Sequence, residues 1–440
     1  MEKFDFIIIG FGKGGKTLAK VASAQGKKVA VIEQSQEMYG GTCINIGCIP
    51  SKTLVHEGLA HGSFDEAINR KHDVVSALNS KNYHLLADDE NITVFDNKGV
   101  FKNNEVIDLL DKEGNVVDSL TAPHIVINTG ATPVVPEITG VNESKYLYDS
   151  TGIMNLKDKP ERLTIIGGGY IALEFASMFA NFGTKVTVLE TKDTIMPKED
   201  KEVAEQVITD LKDKNINLVL EAETQAFKDQ DGYTVVKTNK GEFESDAVLL
   251  AIGRKPNTDL KLEQTDIEIG EHGEIKVNEQ LQTTVEHIYA IGDVKGGAQF
   301  TYISLDDFRI LKDQFFGEGK RSTENRGTVP YTVFIDPPLS RVGLTAEEAK
   351  EQGYSVKEGK LPVNQIPRHK INNDTRGLFK VVIDANTNKI LGATLYGVQS
   401  EEIINIVKLA IDQNIDYTVL RDNIYTHPTM IESFNDLFNI

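Results

Sequence analysis

The chain has 440 residues, 40% of them hydrophobic and 26% charged, and at ordinary domain sizes this length predicts about three domains. No tract of 18 or more apolar residues occurs, which excludes a helical membrane span. Lys plus Arg number 47 against 66 Asp plus Glu, a formal charge of −19 that would repel nucleic acid and anionic lipid.

The chain opens on Met1-Glu2-Lys3 and runs into Phe4-Asp5-Phe6-Ile7-Ile8-Ile9-Gly10. This apolar run is too short, and too soon followed by glycines, for a signal-peptide core, so a cytoplasmic location is expected. The segment then proves to be half of an internal repeat. Residues 4 to 33 read FDFIIIGFGKGGKTLAKVASAQGKKVAVIE, and residues 162 to 190 read RLTIIGGGYIALEFASMFANFGTKVTVLE. A constant offset of 157 superposes Gly10 on Gly167, Gly12 on Gly169, Gly15 on Ala172, Gly26 on Gly183 and Glu33 on Glu190.

Each copy reads as apolar strand, glycine-rich turn, helix, glycine stop and a second strand ending in an acid, which is the dinucleotide-binding βαβ pattern. The glycines admit a tight turn and close backbone approach, the helix N-terminus faces a pyrophosphate, and the acid accepts ribose hydroxyls. The acid lies 23 residues after the first glycine in both copies. Two such sites on one chain predict electron transfer between cofactors, with FAD in the first copy and NAD(P)H in the second. Glu190 should repel a 2′-phosphate and so favours NADH over NADPH, although Lys192 lies close by.

Between the copies lies GGTCINIGCIPSKTL, residues 40 to 54, which holds the only two cysteines, Cys43 and Cys48. Two cysteines cannot frame a disulfide-stapled fold, and in a reducing compartment a close pair is more often catalytic or metal-binding than structural. Four intervening residues allow a disulfide within about one helical turn, and Pro50 suits the distorted start of a helix. A helix N-terminus and Lys52 would lower a thiol pKa and favour an attacking thiolate. The competing readings are buried inert thiols and half of a zinc site completed by His56 and His61, for which nothing downstream supplies a second cysteine pair.

The segment GGTCINIGCIPSK closely resembles the active-site segment of the pyridine nucleotide-disulfide oxidoreductases, alongside lipoamide dehydrogenase, glutathione reductase and mercuric reductase. The likeness continues through INTGATP (127 to 133), GGGYIALEFA, AIGRKPNT (251 to 258), IYAIGDV (288 to 294), PPLSRVGLT (337 to 345) and HPTMIESF (427 to 434). It implies an α/β fold with two Rossmann-like domains and a C-terminal α+β dimerisation domain. The expected layout is an FAD domain of residues 1–149 and 271–327, an NAD(P)H domain of 150–270 and an interface domain of 328–440. In the last, KVVIDANTNKILGATLYG predicts an antiparallel hairpin and EEIINIVKLAID an amphipathic helix, a candidate dimer surface.

The resemblance also assigns roles. Cys48 is the flavin-proximal sulfur and Cys43 the outer thiol that exchanges with substrate; Lys52 sits near flavin N5 and pairs with Glu174, which would otherwise be an ordinary surface ion pair. Gly10, Gly12, Gly15, Glu33, Gly41, Thr42, Lys52, Thr129, Gly130 and Asp293 belong to the FAD site, with Asp293 on the ribityl chain. Gly167, Gly169, Tyr170, Ala172, Glu190 and Gly253 belong to the NAD(P)H site, where the Tyr170 ring covers the nicotinamide pocket. His427, oriented by Glu432, reaches across a homodimer interface as acid and base for the partner's outer thiol, and no resident metal is expected.

By this likeness hydride passes to flavin N5, the Cys43/Cys48 disulfide opens, Cys43 attacks an electrophilic sulfur and Cys48 resolves the product. A C-terminal vicinal cysteine pair and an N-terminal metal-binding extension, the equipment of mercuric reductase, are not found. Glutathione reductase would want a positive 2′-phosphate pocket where Glu190 stands, and QFTYISLDDFRILKD (299 to 313) departs from the interface helix of lipoamide dehydrogenase. The opening IIIGFGKGGKTLA, the cysteine segment, QFTYISLDDFRI and NDTRG (373 to 377) most resemble the bacterial RclA-type flavoenzymes of reactive-chlorine resistance. Members of that group reduce hypothiocyanous acid, and thiol-linked copper reduction has been attributed to them. A small oxidant is therefore the expected substrate, with dihydrolipoamide, copper(II) and a slow redox-sensing role as alternatives.

Overall fold

The computed structural model describes residues 2–440. Three five-stranded sheets organise the chain, and two of them follow one plan. The first places Ile288–Ala290, His124–Ile127, Phe6–Ile9, Val29–Ile32 and Ile92–Phe95 side by side, all parallel. Its central strands FIII and VAVI are buried throughout, as a parallel sheet covered on both faces requires. Helix Lys13–Ala24 packs on this sheet and against helix Thr301–Phe316. The segment that departs from the lipoamide dehydrogenase pattern is thus a partner of the first glycine-turn helix.

The second sheet repeats the arrangement with Leu147–Tyr148, Ala247–Leu250, Arg162–Ile166, Lys185–Leu189 and Asn217–Val219, again all parallel. Its helix Tyr170–Asn181 buries Ala172, Leu173, Phe175, Ala176, Met178 and Phe179, and full burial of each large side chain contributes roughly 1.5–3 kcal/mol. A short antiparallel pairing of Ala131–Pro133 with Arg254–Pro256 bridges the two units.

The third sheet is antiparallel, in the order Tyr331–Val333, Leu339–Gly343, Ile390–Tyr396, Leu378–Asp384 and Val356–Pro362. The expected hairpin is the pair Leu378–Asp384 and Ile390–Tyr396. Helix Ser400–Asp412 lies on the sheet through Ile403, Ile404, Val407 and Ala410 and leaves Ile406 and Leu409 exposed.

One apolar cluster ties the units together. It joins Leu54 and Val55 of helix Cys48–Leu59 to Phe175 and Phe179 of the second glycine-turn helix, to Val333 and Leu339 of the third sheet and to Ile335 between those two strands. The helix that begins at a cysteine is therefore clamped by parts of the chain more than a hundred residues away, which fixes where its first turn points.

Candidate active site

The first glycine turn is built against one asparagine. Asn128, at the end of strand His124–Ile127, is buried; its Oδ1 accepts from Gly15 N at 2.8 Å and its Nδ2 donates to Ile291 O at 2.8 Å. A Cβ at Gly12 would lie 2.4 Å from that Oδ1, so only glycine fits. Gly14 N donates to Ser304 Oγ at 3.1 Å. Asn128 lies in INTGATP and Ser304 in the segment 299 to 313; pattern reading assigned neither a role, because an asparagine inside a turn motif carries no sign of which backbone it will satisfy.

The cysteine segment leaves from this turn. A Cβ at Gly41, whose φ is +82°, would stand 2.8 Å from Gly12 Cα, and one at Gly130 would stand 3.7 Å from Thr42 Oγ1. Thr129 Oγ1 donates to Asn257 O at 2.7 Å, and Asp293 follows the strand Ile288–Ala290 in a 3₁₀ turn. Burial raises the Asp293 carboxyl, against the pull of Arg254 and Lys295. Gly10, Gly12, Gly15, Gly41, Thr42, Thr129, Gly130 and Asp293 thus gather at the strand ends of the first sheet, where open α/β sheets bind ligands.

Two details differ from the sequence expectation. The cysteines do not share a helix: Cys43 sits on the four-residue helix Thr42–Asn45, the chain breaks at Ile46-Gly47, and Cys48 is the first residue of the next helix, with Pro50 as its third. Both are free thiols, Cys48 exposed and Cys43 half-buried, and Cys48 Sγ lies 3.7 Å from Thr301 Oγ1. The second correction concerns the activated thiol. A hydrogen bond from Cys48 and, against desolvation, contributions from Thr301 and Lys16 bring Cys43 down to about 6. Cys48 is pushed up by the same hydrogen bond and by desolvation, and Lys52 offsets this only in part. The lysine acting on the lowered thiol is Lys16, which pattern reading passed over because it faces inward from a dinucleotide helix.

Lys52 Nζ donates to Glu174 Oε2 at 2.5 Å and lies 4.8 Å from the centre of the Phe334 ring, while Glu174 Oε1 accepts from Phe334 N at 2.8 Å. The half-buried pair therefore joins the cysteine helix, the second glycine-turn helix and the approach to the third sheet. His56 and His61 form no metal-binding group with the cysteines, and among the described residues no cluster of three or more His, Cys, Asp or Glu could hold a metal ion.

The second glycine turn has room in front of it. Gly169 precedes helix Tyr170–Asn181 with no side-chain cap, and a Cβ there would meet nothing within 4 Å. Gly167 backs onto Ala251 O, Ala172 is buried beneath the helix, and Gly253 stands at φ +124° opposite. The two terminal acids behave differently. Burial raises Glu33, although Phe11 N and Ser35 N donate to it. Glu190 is less deeply buried, and against its desolvation it is held below the ordinary carboxylate range by Lys192 N and by Gly168 N, which donates at 2.6 Å. The Tyr170 ring stacks on Tyr331 at 5.7 Å, and both hydroxyls donate to buried Glu199.

His427 Nδ1 donates to Glu432 Oε2 at 2.7 Å, which leaves Nε2 as the outward ring nitrogen on a side chain 70% exposed. Pro428 opens no helix; the chain passes through Thr429 and Met430 into the 3₁₀ turn Ile431–Ser433 before the last helix, Phe434–Leu437. Among the described residues no hydrogen bond joins His427 to either cysteine.

Two helix N-termini without side-chain caps stand behind glycine turns, and at the second turn Gly168 N donates to Glu190; such N-termini suit the pyrophosphates of dinucleotides. Comparison with known proteins agrees. Residues 4–307 match the family model Pyridine nucleotide-disulphide oxidoreductase, and 329–438 match its dimerisation domain. The chain is 50% identical, over the whole of both sequences, to the Escherichia coli (strain K12) protein named "Probable pyridine nucleotide-disulfide oxidoreductase RclA". It is 34% identical to a Staphylococcus aureus mercuric reductase, covering 98% of this chain and 81% of that protein, and 30% identical to a dihydrolipoyl dehydrogenase of the same species, covering 97% and 94%. A solved structure described as a Cu(II) complex of the HOCl-induced flavoprotein disulfide reductase RclA from Escherichia coli superposes with a TM-score of 0.97 at 50% identity, covering 100% of this chain and 99% of that one. Among the described residues no helix is long and apolar enough to cross a membrane. Fold, site and relatives agree that the chain belongs to the pyridine nucleotide-disulfide oxidoreductase family and is an NAD(P)H-dependent flavoprotein disulfide reductase.

Proposed function

We propose that the protein is a cytoplasmic homodimer that uses NADH to reduce hypothiocyanous acid, a small oxidant of reactive-chlorine stress. The observation that carries this reading is the placing of the two free thiols on successive short helices beside the first glycine turn, Cys48 exposed at 3.7 Å from Thr301 Oγ1 and Cys43 half-buried, with the Cys48 hydrogen bond and Lys16 drawing the Cys43 thiol downward. A thiolate next to an accessible thiol suits attack on a small electrophilic sulfur followed by internal resolution. The full-length likeness to a protein described as HOCl-induced supports the stress setting.

FAD would be held by Gly10, Gly12, Gly15, Glu33, Gly41, Thr42, Lys52, Thr129, Gly130 and Asp293, and NADH by Gly167, Gly169, Tyr170, Ala172, Glu190 and Gly253. When bound, the two cofactors supply two-electron hydride chemistry that returns the cysteine pair to the dithiol. The remaining steps belong to side chains. The Cys43 thiolate attacks the sulfur of HOSCN; its oxygen leaves as water after taking a proton, which His427 of the partner subunit delivers from Nε2 while Glu432 steadies the ring. Cys48 gives up its proton and attacks the Cys43 sulfur, thiocyanate departs, and the disulfide holds the two electrons' worth of oxidation. Anionic Glu190 opposes a 2′-phosphate, which favours NADH.

The test is an oxidant panel of hypothiocyanous acid, lipoamide, small disulfides and copper(II), run with each coenzyme. Rapid NADH oxidation with hypothiocyanous acid, lost in Cys43→Ser, is expected; robust lipoamide turnover with no hypothiocyanous acid activity would replace the reading. Thiol-linked copper(II) reduction is the second reading, favoured by the Cu(II) complexes described for the Escherichia coli relative and its C43S mutant.

A further inference from the structure

Lys16 is a lysine buried without a carboxylate. It lies in the second turn of helix Lys13–Ala24 and is 4% exposed. Its Nζ donates to Gly40 O at 3.3 Å and to Asn82 Oδ1, the latter from helix Phe64–Ala87. Both acceptors are neutral, and a buried ammonium is costly to desolvate without a nearby anion. The charged groups acting on it are Lys13, of like sign, and Cys43.

Gly40 connects the lysine to the segment that carries the sulfur. The turn Gly40-Gly41, at φ +95° and +82°, leads directly into helix Thr42–Asn45, and Asn45 Nδ2 ties that helix back to Tyr39 O and Gly41 O at 2.9 Å each. By gripping Gly40 O, Lys16 fastens the turn that carries Cys43 and holds a buried ammonium within the field of that sulfur. We propose that Lys16 is a positioning residue for the attacking thiol, its buried ammonium serving as the fixed counter-charge of the Cys43 thiolate. The inference rests on Cys43 being the sulfur that meets the oxidant.

The other groups facing Cys43 are Cys48 from helix Cys48–Leu59 and Thr301 from helix Thr301–Phe316; Lys52 acts on Cys48. Burial and Lys13 lower the Lys16 ammonium to about 8, against the opposing pull of Cys43, so the lysine is charged throughout the range in which the Cys43 thiol ionises, near 6.

The experiment is the pH dependence of iodoacetamide alkylation of the NADH-reduced holoenzyme, with the modified cysteine identified by peptide mass spectrometry. In Lys16→Met the midpoint for Cys43 should rise by about one pH unit, which slows alkylation at pH 5 by roughly tenfold while the plateau rate at high pH stays the same. Lys16→Arg should restore most of the shift. Asn82→Asp supplies a carboxylate to neutralise Lys16 without removing it, and should move the midpoint in the same upward direction. A Lys16→Met midpoint equal to wild type overturns the proposal, and so does loss of flavin with the midpoint in place, which would make the lysine a cofactor diphosphate ligand. Should Lys16→Met fail to fold, an unmoved midpoint in Asn82→Asp overturns it equally. Preferential alkylation of Cys48 in the wild-type enzyme would instead show that the assignment of the outer thiol is wrong, a result distinct from any outcome for Lys16.

Discussion

Asn128→Leu is a sharp test of how the first glycine turn is held. Leucine is close to asparagine in size, so the perturbation is chemical: it strands Gly15 N–H and Ile291 C=O, both buried, each of which now has a 2.8 Å partner on the asparagine side chain. A buried backbone group left unpaired costs about 1–3 kcal/mol, so the two together should destabilise the turn by roughly 2–6 kcal/mol. If that cost is met by opening the turn, flavin retention weakens by a factor of ten for every 1.4 kcal/mol, or roughly 30-fold even at the low end. Ser304→Ala removes the single bond to Gly14 N at 3.1 Å and should do less. The assay is flavin fluorescence released along a urea titration, alongside the flavin-to-protein absorbance ratio of the purified variants. An Asn128→Leu enzyme that keeps its flavin to the wild-type urea midpoint would refute the view that this side chain organises the turn.

Other consequences can be checked by kinetics. Lys52→Met leaves one oxygen of Glu174 without its 2.5 Å partner while Phe334 N still holds the other; coenzyme-driven reduction should slow by one to two orders of magnitude with flavin retained, read by stopped-flow absorbance. His427→Gln should lower oxidant turnover by about 10²–10⁴-fold. Mixing it with Cys43→Ser after subunit exchange should restore part of the activity, because a site shared across the interface is rebuilt once in each heterodimer; no recovery would argue for sites complete within one chain. Glu190→Ser should raise kcat/KM for NADPH about tenfold and reduce the preference for NADH, since the native carboxylate is held ionised by Lys192 N and Gly168 N. Because the Cys43 thiol is lowered, its thiolate is present above about pH 6 and lost as pH falls through that value; the oxidative half-reaction should decline below pH 6.

The fold class and the two dinucleotide units were legible in the sequence because the βαβ pattern is local: Gly10, Gly12 and Glu33, and their counterparts at 167, 169 and 190, carry their meaning in spacing alone. The cysteine pair was legible for the same reason. Tertiary structure decided how the sulfurs differ. The break at Gly47 puts Cys43 and Cys48 on separate helices, and the groups that tune them arrive from elsewhere, Lys16 from the first helix and Thr301 from a segment some 250 residues on. Asn128 shows the same limit: nothing in its neighbours foretells that it will satisfy Gly15 and Ile291 at once, because a hydrogen bond depends on distance in space. Periodicity and spacing record what a residue does for its own element, whereas the electrostatics of a site are summed over every element that packs against it.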